Sequence, residues 1–199
     1  MKTKTKCSIC FCFILFFTSC TTKASLNYTS IIQEQAKNYV CISVDNFEDT
    51  RLKPKQIGAL RNGYGMPAVK ITTDDDVPMW MKAALEEELI NAGYSIIDEE
   101  SVDTYHIKGK IIKVNSGTYF TYYGNIAVEM VLNQGEKILL EKNYISNKSD
   151  GLCCQLSPFM NTAKQAIKCS DALKLNLQGI YRQFIEDINQ QLLSRDSAS

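Results

Sequence analysis

One histidine, His106, stands in 199 residues. A single imidazole excludes a His-rich metal site and any centre that needs two histidines. Charge of one sign is missing as well. Lys+Arg and Asp+Glu are each 22, a formal charge of zero. Nucleic-acid binders usually show a basic excess or stripe, so nucleic acid is not an expected partner. Internal repeats are absent. The apolar run at residues 7–17 (CSICFCFILFF) is 11 residues long, too short for a bilayer-spanning helix of about 20 residues. With 45% hydrophobic and 22% charged residues, the chain has the composition of a globular domain rather than a disordered one.

That apolar run follows Lys2, Lys4 and Lys6 and precedes Phe17-Thr18-Ser19-Cys20. A positive start, a short apolar stretch and small residues make a secretory signal. The last four residues resemble the bacterial lipobox, with Phe17 where Leu is preferred. The resemblance implies cleavage before Cys20, a diacylglyceryl group on its thiol and acylation of its new amino group. Three acyl chains exceed the two signals that stable anchoring needs. Thr21, rather than Asp, follows Cys20, which implies the outer membrane, facing the periplasm. Removing residues 1–19 takes away three lysines and no acid, leaving 19 basic against 22 acidic residues. The expected organisation is a signal peptide over 1–19, a lipidated Cys and polar tether over 20–37, and one domain over 38–199. Leu26, Ile31 and Ile32 are the tether's candidates for docking on that domain.

Within the domain, residues 39–44 (YVCISV) read as a buried strand. Residues 45–75 carry Pro54, Gly58, Gly63, Gly65 and Pro67 and read mostly as loop, with a short strand at 68–72. Asp76-Val77-Pro78 is a helix start, Asp as N-cap and Pro in the first turn. Val77, Met81, Ala84, Leu85, Glu88 and Ala92 sit near one face widened by Trp80 and Leu89, with the acidic run 86–88 opposite or beside it, and Gly93 ends the helix. Residues 94–98, 105–114, 118–133 and 137–146 read as strands. Turns are expected at 115–117 and 133–136, and a bulge near Ile112. Leu173, Leu177, Ile180, Tyr181, Phe184, Ile188 and Leu192 recur at helical spacing, with an earlier turn or helix expected from Pro158 to Lys168 and a local cap, breaking the two, at Ser170 or Asp171. The prediction is α+β: a mixed, mostly antiparallel sheet of about five strands with two helices packed on one face. The first strand–helix–strand unit should pair its strands in parallel.

Asp49-Thr50-Arg51, Ile57-Gly58 and the helix at residues 80–94 (WMKAALEEELINAGY), behind a lipobox, resemble the YajG-type family of bacterial lipoproteins. The resemblance implies a periplasm-facing lipoprotein domain with no catalytic residues to transfer. The element order is also similar to auxiliary lipoproteins of ABC-type lipid-trafficking systems. The function expected is a non-catalytic binding or scaffold domain in the cell envelope. An auxiliary subunit of a lipid-trafficking or secretion assembly is the alternative, and an envelope-polymer enzyme a third reading.

No cofactor or metal is expected. Residues 63–68 match G-x-G-x-x-A, but Pro67, Val69 and Ile71 follow where a nucleotide fold needs a helix. Asp74-Asp75-Asp76 lacks the alternate spacing of a calcium loop and suits a helix N-terminus. Cys153, Cys154 and Cys169 lie in an oxidising compartment, where one disulfide from Cys169 to Cys153 or Cys154 would close about 15 residues. Reduced thiols and, with Cys41, a zinc site are the other readings. Tyr119, Phe120, Tyr122 and Tyr123 crowd one hairpin, which fits a partner surface or cross-strand packing. Arg51, Lys53, Lys55 and Arg61 make a basic loop, solvated or facing a lipid or protein partner.

Overall fold

The computed structural model describes residues 20–33, 40–97, 104–153 and 161–196. The expected signal segment, Tyr39, Cys154 and Pro158 lie outside them. Two helices and nine strands form among the described residues: β1 (Thr21–Lys23), β2 (Cys41–Val44), β3 (Glu48–Asp49), β4 (Gln56–Arg61), β5 (Pro67–Thr72), α1 (Val77–Asn91), β6 (Ser95–Ile96), β7 (Tyr105–Tyr119), β8 (Thr121–Gln134), β9 (Lys137–Leu152) and α2 (Thr162–Asp196). The class is α+β. Most residue pairs in the sheet are antiparallel, through β4–β5 and the long β7–β8–β9 meander. One edge of β7 is shared in turn by β2, β3 and β4, all parallel to it, while β8 occupies the other edge throughout. β2 and β6, the first strand read in the domain and the strand after α1, pair in parallel as expected, with β3, β4 and β5 intervening in the chain.

The strand count exceeds the expected five because residues 45–75 are not mostly loop. β4 escapes a propensity reading because Gly58 interrupts it. A Cβ there would lie 2.1 Å from the Ser116 carbonyl oxygen, so the close approach of β4 to β7 requires glycine. The turn expected at 115–117 is instead strand. Ser116 is buried in β7 and its hydroxyl donates to the Ile57 carbonyl at 3.0 Å. The chain reverses at Phe120, between the paired Tyr119 and Thr121. The β8–β9 turn falls at Gly135, in the left-handed region at φ 56°. The expected bulge is the register shift between Ile111 and Lys113, which turns Ile112 outward.

α1 follows its sequence. Asp76 accepts the Met79 N–H at 3.1 Å, and Gly93 adopts φ 92° just beyond the helix. Val77, Met81, Ala84, Leu85 and Leu89 are buried. α2 runs 35 residues without the break expected at Ser170 or Asp171. Ser170 does not cap. Its hydroxyl donates to the Ser25 carbonyl at 2.7 Å. The Leu173, Leu177, Ile180, Tyr181, Phe184 and Ile188 stripe is buried, and the Tyr181 hydroxyl donates to the Met81 carbonyl at 2.7 Å, tying α2 to α1.

The segment read as a tether belongs to the fold from its first residue. The Lys70 N–H donates to the Cys20 carbonyl at 3.0 Å, and β1 pairs in parallel with β5. Ala24 and Leu26 are buried. No apolar period announces this, because polar contacts from remote residues hold the strap. Asp75 accepts from the Leu26 N–H at 2.6 Å, and Gln178 donates to the Thr29 carbonyl at 2.7 Å.

Candidate functional site

Cys20 is exposed at the head of β1, and strand registers fix which end of the sheet it occupies. β1 runs with β5, so Cys20 lies beside Val69 at the start of that strand. Val69 pairs with Leu60, Leu60 with Thr118, and Thr118 with Tyr122. Tyr122 pairs with Asp150 near the end of β9. Cys20, the β4–β5 turn, the β7–β8 turn and the end of β9 therefore share one end of the sheet.

Large apolar side chains point outward there. Tyr64 is 89% exposed, Phe120 71%, Leu152 76%, Met66 56% and Tyr119 50%. Tyr119 and Phe120 meet edge to face, ring centroids 4.6 Å apart. Phe120 holds φ 60°, a left-handed conformation that a bulky residue rarely adopts and that Gly, Asn or Asp would take at less cost. Gly65, at φ 80°, lets the β4–β5 turn lie against Tyr119, whose ring would be 3.1 Å from a Cβ. The Cys153 N–H closes the end by donating to the Phe120 carbonyl at 2.8 Å.

The four aromatics proposed as one partner surface divide into two pairs. Tyr119 and Phe120 project outward. Tyr122 packs against the core, and Tyr123 accepts from the Arg61 Nε at 3.0 Å. Arg61 also donates to the Gly65 carbonyl at 2.8 Å, so it buttresses the two turns. The cleft among Arg61, Asn62, Thr118, Tyr119, Phe120 and Cys153 measures about 60 Å³, far below the 300–1,000 Å³ of a small-molecule site.

Arg61 is separated from the rest of the basic set. Arg51, Lys53 and Lys55 lie before the other end of β4, about 17 Å away along the strand. Arg51 does not face a partner. Its guanidinium grips Asp49 through two bonds of 2.8 and 2.7 Å, with both side chains no more than 10% exposed. That bond to Arg51 holds the Asp49 carboxyl below its ordinary value, against the opposing effect of burial. Lys53 and Lys55 are exposed.

Cys169 is buried, and Cys153, Cys169, Cys20 and Cys41 are free thiols. Burial, and to a lesser extent the neighbouring Cys153, pushes the Cys169 thiol up to about 12. No cluster of three or more metal-ligating side chains exists among the described residues. His106 lies in β7, paired with Ser43 and Asn133. Two of the three Asp residues bind the strap, Asp74 pairing with Lys23 and Asp75 accepting from Leu26, while Asp76 caps α1. The G-x-G-x-x-A stretch turns into β5 with no helix.

Sequence reasoning missed the polar latch on α1. Glu88 is fully buried. It accepts from the Tyr28 hydroxyl at 2.5 Å, the Ser30 hydroxyl at 2.8 Å and the Ile31 N–H at 3.2 Å. Burial, then the bond to Glu88, raises the Tyr28 hydroxyl far above its ordinary value. The phase of Glu88 is visible, seven residues after Met81 and four after Ala84 on the apolar stripe; its partners in the strap are not. A second such pair joins Asp187 of α2 to Tyr144 at 2.5 Å and to Lys142 at 2.8 Å.

No protein-family model matches the sequence, and none of the curated proteins matches it. Solved structures match by shape. A Xanthomonas campestris protein of the DUF330 family model has a TM-score of 0.58 at 8% identity, covering 90% of this chain and 99% of its own. A hypothetical protein from Chlamydia trachomatis has a TM-score of 0.51 at 7% identity, covering 76% and 96%. A Neisseria meningitidis lipoprotein overlaps more loosely, with a TM-score of 0.33 at 8% identity over 78% and 99%. At these identities the first two establish a shared fold, and the third is too loose to carry an inference.

Proposed function

We propose that this chain is a lipid-anchored, non-catalytic binding or scaffold protein of the bacterial envelope, of the YajG-like kind, held at the outer membrane and facing the periplasm. The observation that carries this reading is the place of Cys20. The thiol is exposed, free to carry lipid, while its carbonyl is fixed to the sheet. No helix among the described residues is long and apolar enough to cross a membrane, and under this reading the acyl chains supply attachment.

The test is Cys20→Ser in the native host. The variant should accumulate as unprocessed precursor without lipid, read by intact mass and by labelled palmitate. Normal maturation with unchanged recovery in the outer-membrane fraction would refute the reading. An auxiliary role in a lipid-trafficking or secretion assembly is favoured by one feature, a groove of about 350 Å³ lined by Ile31, Ile32, Ala92 and Ile185 with Arg182 and Glu186 at its margin. Crosslinked membranes should then yield the same partner from wild type and lose it from an Ile185→Lys variant.

A further inference from the structure

We infer that the sheet end carrying Cys20 is a membrane-docking rim, in which Phe120, Tyr119, Tyr64, Met66 and Leu152 enter the interface of the same bilayer that holds the anchor. The inference rests on the lipidation of Cys20 proposed above and specifies how the domain lies on its membrane.

Slack comes first. A lipoprotein domain on a long tether can face any direction. Here the Cys20 carbonyl is bonded to Lys70 and Thr21 opens the β1–β5 ladder, so no linker separates the acylated residue from the sheet. The end of the sheet that bears Cys20 is therefore forced to the bilayer surface.

Reach follows. Along the ladders, Cys20 lies level with Val69, Thr118 and Asp150. Met66 is three residues beyond Val69, Phe120 two beyond Thr118 and Leu152 two beyond Asp150. At about 3.3 Å per residue these side chains project roughly 7–10 Å past the anchored residue. That matches the depth of about 5–10 Å at which apolar faces settle between headgroups and acyl chains.

Chemistry agrees. Aromatic rings with a polar edge favour that boundary, and Tyr64 and Tyr119 supply two. Phe120 sits on a one-residue reversal at positive φ, where backbone preference favours a small polar residue, and 71% of its surface is exposed. Neither core packing nor turn geometry accounts for an aromatic at that position; a nonaqueous neighbour does. The adjoining cleft of about 60 Å³ is far below the size of a small-molecule site.

Trp80, the single tryptophan, is buried in α1. It follows Thr72, at the opposite end of β5 from Met66, and serves as an unquenched background. The full-length lipidated chain is reconstituted into vesicles of phosphatidylethanolamine and phosphatidylglycerol with brominated acyl chains. Phe120→Trp should be quenched roughly twofold or more above Leu52→Trp, since interfacial burial of about 5–10 Å brings its indole to the bromines. Leu52 is fully exposed beside the far end of β4 and serves as the control. Leu152→Trp repeats the measurement from β9 should the turn not tolerate the larger ring. Equal quenching at rim and control positions, in protein whose mass shows acylated Cys20, overturns the rim while leaving the anchor standing. Absence of lipid on Cys20 by mass overturns both.

Discussion

Glu88→Ala is the perturbation that most sharply tests how the N-terminal strap is held. The carboxylate is fully buried and is the shared acceptor for Tyr28, Ser30 and the Ile31 N–H. Truncation leaves three donors around a void. Each donor stranded in a buried site costs about 1–3 kcal/mol, with partial relief where water enters. A loss of about 3–5 kcal/mol is expected, in the range for removing one partner of a buried polar pair. Glu88→Gln should cost less, about 1–2 kcal/mol, because the hydroxyls of Tyr28 and Ser30 can turn to accept. Among the described residues Glu87 accepts from the Ser30 N–H at 3.0 Å in a solvent-exposed bond, so Glu87→Ala should stay near 0.5 kcal/mol. Urea unfolding followed by Trp80 fluorescence reads global stability two turns away in the same helix. Hydrogen exchange over residues 21–33 reads local release of the strap. If Glu88→Ala matches Glu87→Ala in both measurements, the latch does not hold the strap and the account of Glu88 is wrong.

Two further predictions concern titrating groups. Asp49 has its carboxyl lowered chiefly by Arg51, so its folded value lies below the unfolded value near 3.9. The stability it contributes is present above the unfolded value and is lost as pH falls through the folded one. Asp49→Asn should flatten acid unfolding in that window, and an unchanged acid limb in pH-jump denaturation would contradict this role. The Cys169 thiol, pushed up to about 12 by burial and then by Cys153, should resist alkylation in reduced native protein. In exported protein, non-reduced digests should carry a peptide joining Cys169 to Cys153 or Cys154; finding all three alkylated without reductant defeats the pairing.

What was legible in the sequence is what short-range physics decides. α1 is bounded by its own residues, Asp76 accepting the Met79 N–H and Gly93 at positive φ. Its buried stripe and that of α2 follow from spacing alone, as does the alternation in β8. The illegible parts depend on distant partners. β4 reads as loop because the need for Gly58 arises from Ser116, 58 residues later. Residues 21–33 show no period because their bonds run to Asp75, Glu88, Ser170 and Gln178. The acidic runs at 74–76 and 86–88 suit a helix dipole and a solvated face in isolation, yet Asp75 and Glu88 spend their oxygens on the strap. The basic set failed for the same reason: charge counts place Arg51 with Lys53, while Asp49 draws it inward.

Under the lipidation proposed for Cys20, the latch and the anchor form one mechanical system. With the strap bound, Cys20 has no freedom relative to the sheet, and orientation on the bilayer follows from the fold. With the strap released, residues 21–33 could extend up to about 43 Å, enough to lift the domain well clear of the headgroups. Apolar contacts at the rim and buried hydrogen bonds at Glu88 therefore favour the same end-on arrangement from opposite ends of the strap. The bonds of Glu88 sit between α1 and the strap, away from the bilayer, so a partner that displaced residues 28–31 would change the height of the domain without touching the membrane. The groove of about 350 Å³ bordered by Arg182 and Glu186 of α2 lies directly beside Ile31 and Ile32 of that strap.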